Sequence, residues 1–264
     1  MKQILLDELK ELQMQILDYV DKFCRQNGIR YTISGGTLLG AVRHGGYIPW
    51  DDDVDIQMLR SDYVRFASLW KETADKHPYE LVSIESGNNK GYPFAKISMP
   101  QTVALVDGVE RTGVYIDLFP VDKVADLKDF RRRHGKALFY YRMQMLNFAW
   151  KRRKTARLSL SKMPFAWLCS LLSRNSLAVR INKIAQKKEK ADCPYCFEMV
   201  AGTINKEPIP FEVFKSYEDI PFENRKYMAV KDFHTYLKST FGDYMKLPPE
   251  EKRVGHNSNL YYWK

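Results

Sequence analysis

The stretch SGGTLLGAVRHGGYIPWDDDVDI, residues 34–56, decides how this chain folds. Just before it, Ile29, Tyr31 and Ile33 alternate as a short strand, which Ser34-Gly35-Gly36-Thr37 breaks. Leu38 to His44 reads as a short helix closed by Gly45-Gly46. Trp50 to Met58 reads as a second strand carrying the acids. Side chains two apart on a strand share a face. Asp51, Asp53 and Asp55 are therefore expected on one side and Asp52 on the other, with Val54 and Ile56 turned inward. Carboxylates stacked in this way repel and cost folding energy unless a cation neutralises them. Hard oxygen donors suit Mg²⁺ or Mn²⁺ rather than zinc. A cation held on a rigid strand is what phosphoryl-group transfer uses, both to neutralise phosphate oxygens and to activate an attacking hydroxyl.

The glycine pair is the complementary half. Gly35 and Gly36 let backbone N–H groups come close to a phosphate, and the N-terminus of the short helix that follows adds favourable partial charge. Such a pair alone also makes caps and hairpins, and the acids downstream are what make it specific. The chain has no GxxxxGK[ST] loop. Arg43 and His44 follow on the helix, Arg43 as a candidate phosphate contact. Asp117 is the one charge in Val114–Phe119, a run that otherwise reads as buried strand. A buried lone aspartate needs a partner or a metal, so Asp117 is a candidate ligand or base, and Asp122 a second candidate. Lys96 is a lone charge in Pro93-Phe94-Ala95-Lys96-Ile97 and a further candidate for phosphate. Cys193-Pro194-Tyr195-Cys196 is one CxxC with no second pair, which reads as structural cysteines. His256, after Lys252-Arg253, reads first as an exposed tail histidine, with reach to the phosphate site as the alternative.

Outward from this core, Leu5, Leu9, Leu12, Ile16, Val20 and Phe23 recur at helical spacing, with Gly28 as the stop. Ser61 or Asp62 is expected to cap a helix running to about Lys76. Residues 79–86 read as a strand. Residues 103–106 and 114–119 read as two more, joined by a hairpin at Asp107-Gly108, and Pro120 is expected to end the sheet. From Leu127 the period is helical, with one more helix near Val230–Phe241. The organisation is thus an α/β core in residues 1–125 followed by a basic helical region and C-terminal segment, 126–264, packing on that core. The 264 residues are 45% hydrophobic and 28% charged, which is globular composition and excludes a wholly disordered or fibrous chain. Acids scattered through the first twenty residues argue against a signal peptide. The best apolar run, Phe165–Ser173, is too short to span a bilayer, and four cysteines without a framework fit a reducing, cytoplasmic compartment.

Charge is unevenly spread. The net charge is +10, yet residues 131–190 hold 17 Lys or Arg against one acid, Glu189, so the rest of the chain is net acidic. This block, which includes Lys151-Arg152-Arg153-Lys154, is interleaved with Phe139, Tyr140, Tyr141, Phe148, Trp150, Phe165 and Trp167. It suits an anionic surface: phospholipid headgroups, with nucleic acid the less favoured alternative. A solvated helix pair with inward aromatics would leave the same pattern.

GGTLLGAVRHGGYIPWDDDVDI resembles the signature of the LicD family, within the nucleotidyltransferase superfold. GVYIDLFPVD and the late segment FGDYMKLPPEEKR, residues 241–253, resemble that family as well, so the likeness covers nearly the whole chain; fukutin-related proteins look like distant members. The resemblance implies an α+β fold, with a nucleotidyltransferase-like mixed sheet and flanking helices. It implies a metal-dependent phosphotransferase that moves a phospho-alcohol from a CDP-linked donor to a cell-surface glycan or teichoic acid precursor. Phosphocholine is the favoured cargo, with CDP-choline as donor; phosphoribitol and phosphoglycerol are the others. Sixteen residues separate Gly36 from Asp53, more than the generic superfold pattern has and characteristic of LicD-like sequences. The superfold match favours Asp53 and Asp55 as the pair holding Mg²⁺ or Mn²⁺, with Asp51 and Asp117 beside them and Asp117 as the possible base. Gly35, Gly36 and Thr37 would meet donor phosphates, with Arg43, His44 and Lys96 as further substrate contacts. The acceptor would be lipid-linked and the protein peripheral at the inner face of the membrane, with no nucleic acid partner. The alternative is a nucleotidyltransferase of the same superfold acting on RNA or a small molecule, with the basic block as its nucleic-acid surface.

Overall fold

The computed structural model describes residues 1–106, 109–151, 160–186, 193–202, 207–253 and 260–264. The chain opens with a two-residue strand, β1 (Gln3–Ile4), and the amphipathic helix α1 (Leu6–Gln26), whose stripe Leu9, Leu12, Ile16, Leu17 and Val20 is buried. Strand β2 (Thr32–Ile33) leads into α2 (Gly35–His44), which starts at the glycine pair itself and ends on Gly45 at φ +74°. Strand β3 (Asp55–Leu59) starts later than the acid run suggests, because the N–H of Asp51 is spent on a turn to Ile48. Helix α3 (Arg60–Glu72) follows at once, without the expected side-chain cap. Then come β4 (Glu80–Val82), β5 (Ala95–Ser98), β6 (Thr102–Val106), β7 (Val109–Arg111) and the long β8 (Tyr115–Val124). The tip of the β6–β7 hairpin, Asp107-Gly108, lies outside the described residues.

Strand β8 organises the larger sheet. Its two edges carry β3, in parallel, and β5, antiparallel. β8 runs on through Pro120, where the sequence reading ends the sheet. The physical reason is local: β5 stops at Leu118 and β9 (Tyr195–Phe197) joins the same edge only at Asp122, so the missing proline N–H falls in a gap between partners. β10 (Ile209–Pro210) extends that side, and β2 borders β3 antiparallel.

The helical layer is α4 (Leu127–Lys151), α5 (Met163–Ser170) and α6 (Arg174–Ala185). It shares a second core with the end of the sheet: Val124, Phe130, Ala137, Ile181, Ala185 and Phe197. Arg152, Arg153, Lys154, Glu189 and His256 lie outside the described residues. The C-terminal third folds back on the main core through the hairpin β11 (Tyr217–Phe222) and β12 (Arg225–Val230) and helix α7 (Phe233–Phe241). A last strand, β13 (Leu260–Trp263), lies between β1 and β6 in a smaller sheet. Cys193 and Cys196 are buried and in no disulfide, and burial pushes the Cys196 thiol up.

One buried ion pair ties the layers together. Arg60, at the start of α3, donates to both oxygens of Asp122 at 2.8 and 2.7 Å and to Asn182 of α6 at 2.9 Å. Asp122 is 1% exposed, so its charge is committed to structure. Removing one partner of such a pair leaves an uncompensated buried charge. Asp122→Ala is therefore expected to lower stability by about 3–5 kcal/mol. Urea unfolding measures this, and a loss within error of zero would show that the pair does not join the helical layer to the sheet.

Candidate active site

Period-two geometry sorts the central strands into two faces. Ile56 and Met58 of β3 and Ile116 and Leu118 of β8 are 0% exposed and pack into the core. The opposite face carries Asp55 and Gln57 from β3, Asp117 and Phe119 from β8, and Lys96 from β5. Asp117 pairs in register with Asp55 on one edge and Lys96 on the other. Three charged residues thus stand in one row across three strands. Lys96 donates to Asp117 Oδ1 at 2.5 Å, with the two side chains 4% and 14% exposed. Its ammonium also sits 3.6 Å from the ring centre of Tyr115 and 4.6 Å from that of Tyr92. Lys96, read from the sequence as a phosphate contact, is here the cation that holds Asp117.

Asp51 and Asp53 approach the same row from the irregular segment before β3. They are not on a strand, yet they meet the other acids: Asp53 lies within electrostatic reach of Asp51, Asp55 and Asp117. The glycine turn closes over them. A Cβ on Gly36 would fall 2.5 Å from Asp51 Oδ2, and one on Gly35 would fall 3.2 Å from Asp55 Oδ2. Gly35 also has φ +54°, which L side chains rarely adopt. Thr37 Oγ1 accepts the Asp55 N–H at 2.9 Å, so Thr37 braces the start of β3.

Tyr236 of α7 is a member of this site that no local pattern reveals. Its hydroxyl accepts the Gly35 N–H at 3.3 Å and donates to Gln57 Oε1 at 3.1 Å. It lies 201 residues from Gly35 in the chain, too far for any spacing rule. Beside Asp55 it lines a cavity of about 120 Å³, together with Gly35, Gln57, Phe119 and Glu198.

The electrostatics follow from crowding. Burial, then the charges of Asp51 and Asp117, push the Asp53 carboxyl up to about 8. Burial and Asp53 push Asp55 well above the ordinary carboxylate range. Burial raises Asp117 against the opposing pull of Lys96. Among the described residues, no group of three or more His, Cys, Asp or Glu side chains is arranged so that it could hold a metal ion. Mg²⁺ does not require one, since it is commonly held by one or two carboxylates plus substrate phosphates and water. The crowded, incompletely neutralised carboxylates are a donor set that such an ion fits.

A cationic cluster stands at the C-terminal end of α2, the end away from the glycine pair. Arg43 donates to the Tyr244 carbonyl at 2.9 Å and to His44 Nε2 at 3.0 Å. The ring of His44 lies 6.3 Å from that of Trp50, and Arg253 lies 5.6 Å from the same Trp50 ring. Burial and then Arg253 lower the Arg43 guanidinium, and burial and then Arg43 lower His44. Among the described residues no carboxylate pairs with Arg43. The sequence names Arg43 and His44; Arg253 and Trp50 join them only through the fold.

Residues 28–170 match the family described as LicD/FKTN/FKRP, nucleotidyltransferase domain. The chain is 30% identical, over 99% of its own length and 99% of the relative's, to the lipopolysaccharide cholinephosphotransferase LicD of Haemophilus influenzae. It is 50% identical over 44 residues to the human ribitol 5-phosphate transferase FKRP, covering 17% of this chain and 9% of that one. An uncharacterised protein of Rickettsia typhi is 41% identical over 69 residues, 26% of this chain and 22% of its own.

The raised Asp53 carboxyl sets a pH prediction for metal-free protein. A carboxyl whose folded pKa exceeds its unfolded value costs stability as it ionises. That loss begins near an unfolded pKa of about 3.9 and is complete above about 8. In chelator, Asp53→Asn is expected to melt higher than wild type at pH 8, with the gap shrinking towards pH 4. Melting temperatures across that range check it, and a gap that does not change with pH would separate Asp53 from the cluster.

Proposed function

The chain belongs to the LicD family and is a phospho-alcohol transferase of that type, and on that premise we propose that it moves phosphocholine from CDP-choline to a hydroxyl of a cell-surface glycan or teichoic acid precursor. Phosphoribitol and phosphoglycerol are the other cargoes of the same chemistry. The observation that carries the reading is the row Asp55, Asp117 and Lys96, with Asp53 and Asp51 crowded against it under the glycine turn. The cholinephosphotransferase name of the full-length relative supports the cargo, and its lipopolysaccharide supports a lipid-linked acceptor. In this reading the protein works peripherally at the inner face of the membrane.

Asp53 and Asp55 would hold Mg²⁺ or Mn²⁺, with Asp51 alongside; the bound ion would neutralise phosphate oxygens and favour the attacking alkoxide. Asp117 takes the proton of the acceptor hydroxyl as its oxygen bonds to phosphorus. The bond from that phosphorus to the bridging oxygen breaks, and CMP leaves with the electron pair. The raised carboxyl of Asp117 suits a base, and Lys96 fixes its orientation. Gly36 and Thr37 offer N–H groups of the first turn of α2 to the donor phosphates, beside the bare backbone of Gly35, whose own N–H is held by Tyr236, while Arg43 and His44, joined by Arg253, supply positive charge for them.

Incubation with CDP-choline, CTP and ATP is expected to consume CDP-choline alone and release CMP only when Mg²⁺ or Mn²⁺ is present. Incorporation of a nucleotide from CTP or ATP would overturn the assignment in favour of nucleotidyl transfer. Asp53→Asn and Asp55→Asn should each lose at least about a hundredfold in turnover, the scale of one transition-state electrostatic contact. Asp117→Asn should lower kcat more than it raises the donor KM, and an unchanged kcat would return Asp117 to a structural role.

A further inference from the structure

Helix α5 presents an apolar edge to solvent. Phe165 is 42% exposed, Trp167 and Leu168 53% each, Leu171 66% and Leu172 39%, while Ala166 and Cys169 on the other side are fully buried. The edge is held firmly. Asn147 of α4, itself 0% exposed, donates to the carbonyls of Cys169 and Leu172 at 2.9 and 2.8 Å. The leucines are therefore displayed by a clamped backbone.

Helix α4, packed against α5, carries exposed positive charge. Along the solvent side of α4, Arg132, Lys136, Phe139, Arg142 and Met145 follow one another at three- and four-residue spacing, and all five are exposed. Arg131 and Lys151 of α4, Lys162 just before α5, and Arg180 and Lys183 of α6 are exposed as well. Asp129 is the one acid from 127 to 186, and it is taken by Arg132 at 2.5 Å and Arg133 at 2.9 Å. Among the described residues, no helix is long and apolar enough to cross a membrane.

We propose that the α4–α5 face docks on an anionic phospholipid bilayer, with Phe165, Trp167, Leu168, Leu171 and Leu172 entering the headgroup and upper acyl region and the arginines and lysines meeting lipid phosphates. Charge complementarity selects the lipid, and the leucines select it over nucleic acid, because they neither stack on bases nor bond to them. A second copy is disfavoured, since pairing this face with itself would bring two strongly basic layers together. The proposal deepens the reading of a lipid-linked acceptor: the sequence offers the whole basic, aromatic block 131–190 to an anionic surface, and the structure shows the apolar side chains at α5 exposed together.

The test is co-sedimentation with vesicles of phosphatidylglycerol and phosphatidylcholine, and with phosphatidylcholine alone. Wild type is expected to bind the anionic vesicles at low salt, to release at about 1 M salt, where the screening length falls to about 3 Å, and not to bind the neutral ones. The triple variant Trp167→Ser, Leu168→Ser, Leu171→Ser should bind anionic vesicles at least about tenfold more weakly. The variant Arg132→Ser, Lys136→Ser, Arg142→Ser should also weaken binding and lower its salt dependence. Both variants should keep the wild-type melting temperature and CDP-choline turnover on a short soluble acceptor. Absence of binding at low salt overturns the proposal, as does equal binding of the α5 variant, or a wild-type dimer that the α5 variant dissociates. Turnover on the soluble acceptor is read separately: if it fails while vesicle binding stands, the proposed reaction falls and the surface remains.

Discussion

Asp51, Asp53, Asp55 and Asp117 are held close together at one sheet face, and their mutual repulsion is the constraint under which the centre of this molecule is built. Lys96 answers one of these charges directly, by its bond to Asp117. Asp53 and Asp55 keep raised carboxyls because burial and like charges act in the same direction. The hydrophobic reverse face, with Ile56, Met58, Ile116 and Leu118 sealed in the core, gives the strands no freedom to turn the acids away. Apolar burial on one side of the sheet thus sustains electrostatic tension on the other.

The parts around the row make sense as consequences. The glycine turn has no side chains because carboxylate oxygens occupy the space a Cβ would need. Thr37 and Tyr236 fix that turn from opposite directions, one through the backbone of Asp55 and one through Gln57 and the Gly35 N–H. At the C-terminal end of α2, Arg43, His44 and Arg253 gather positive charge.

Charge is separated on a larger scale too. The basic block contributes the helical layer α4–α6, and the remainder of the chain is net acidic. The two are joined by the buried bond from Arg60 to Asp122 and Asn182, which couples the end of β8 to α6 without using any charge of the active row. Asp122 and Asp117 lie five residues apart on the same strand and do opposite jobs, because one meets an arginine in a closed interior and the other faces the open side of the sheet.

Much of this was legible in the amino-acid order. The acid run, the glycine pair, the lone charges Lys96 and Asp117 and the amphipathic first helix are local patterns. Their chemistry follows from repulsion, glycine geometry and helical or strand periodicity over a few residues. The sequence also determined that the chain is one of paired carboxylates with a basic helical region, since both are properties of composition along the chain. What lay beyond it depended on partners remote in sequence. Whether Asp51 and Asp53 sit on a strand depended on the two-residue β2, which pairs only with Ile56 and Gln57. Whether Pro120 ends the sheet depended on where β5 stops and β9, far later in the chain, begins. Lys96 bonds to Asp117 instead of standing free for phosphate because β5 and β8 are neighbours in one register, and Tyr236 reaches Gly35 because α7 packs back on the glycine turn. Charge, polarity and periodicity act between neighbours in the chain and can be read from it. Pairing register and close packing act between neighbours in space, and only the folded chain decides those.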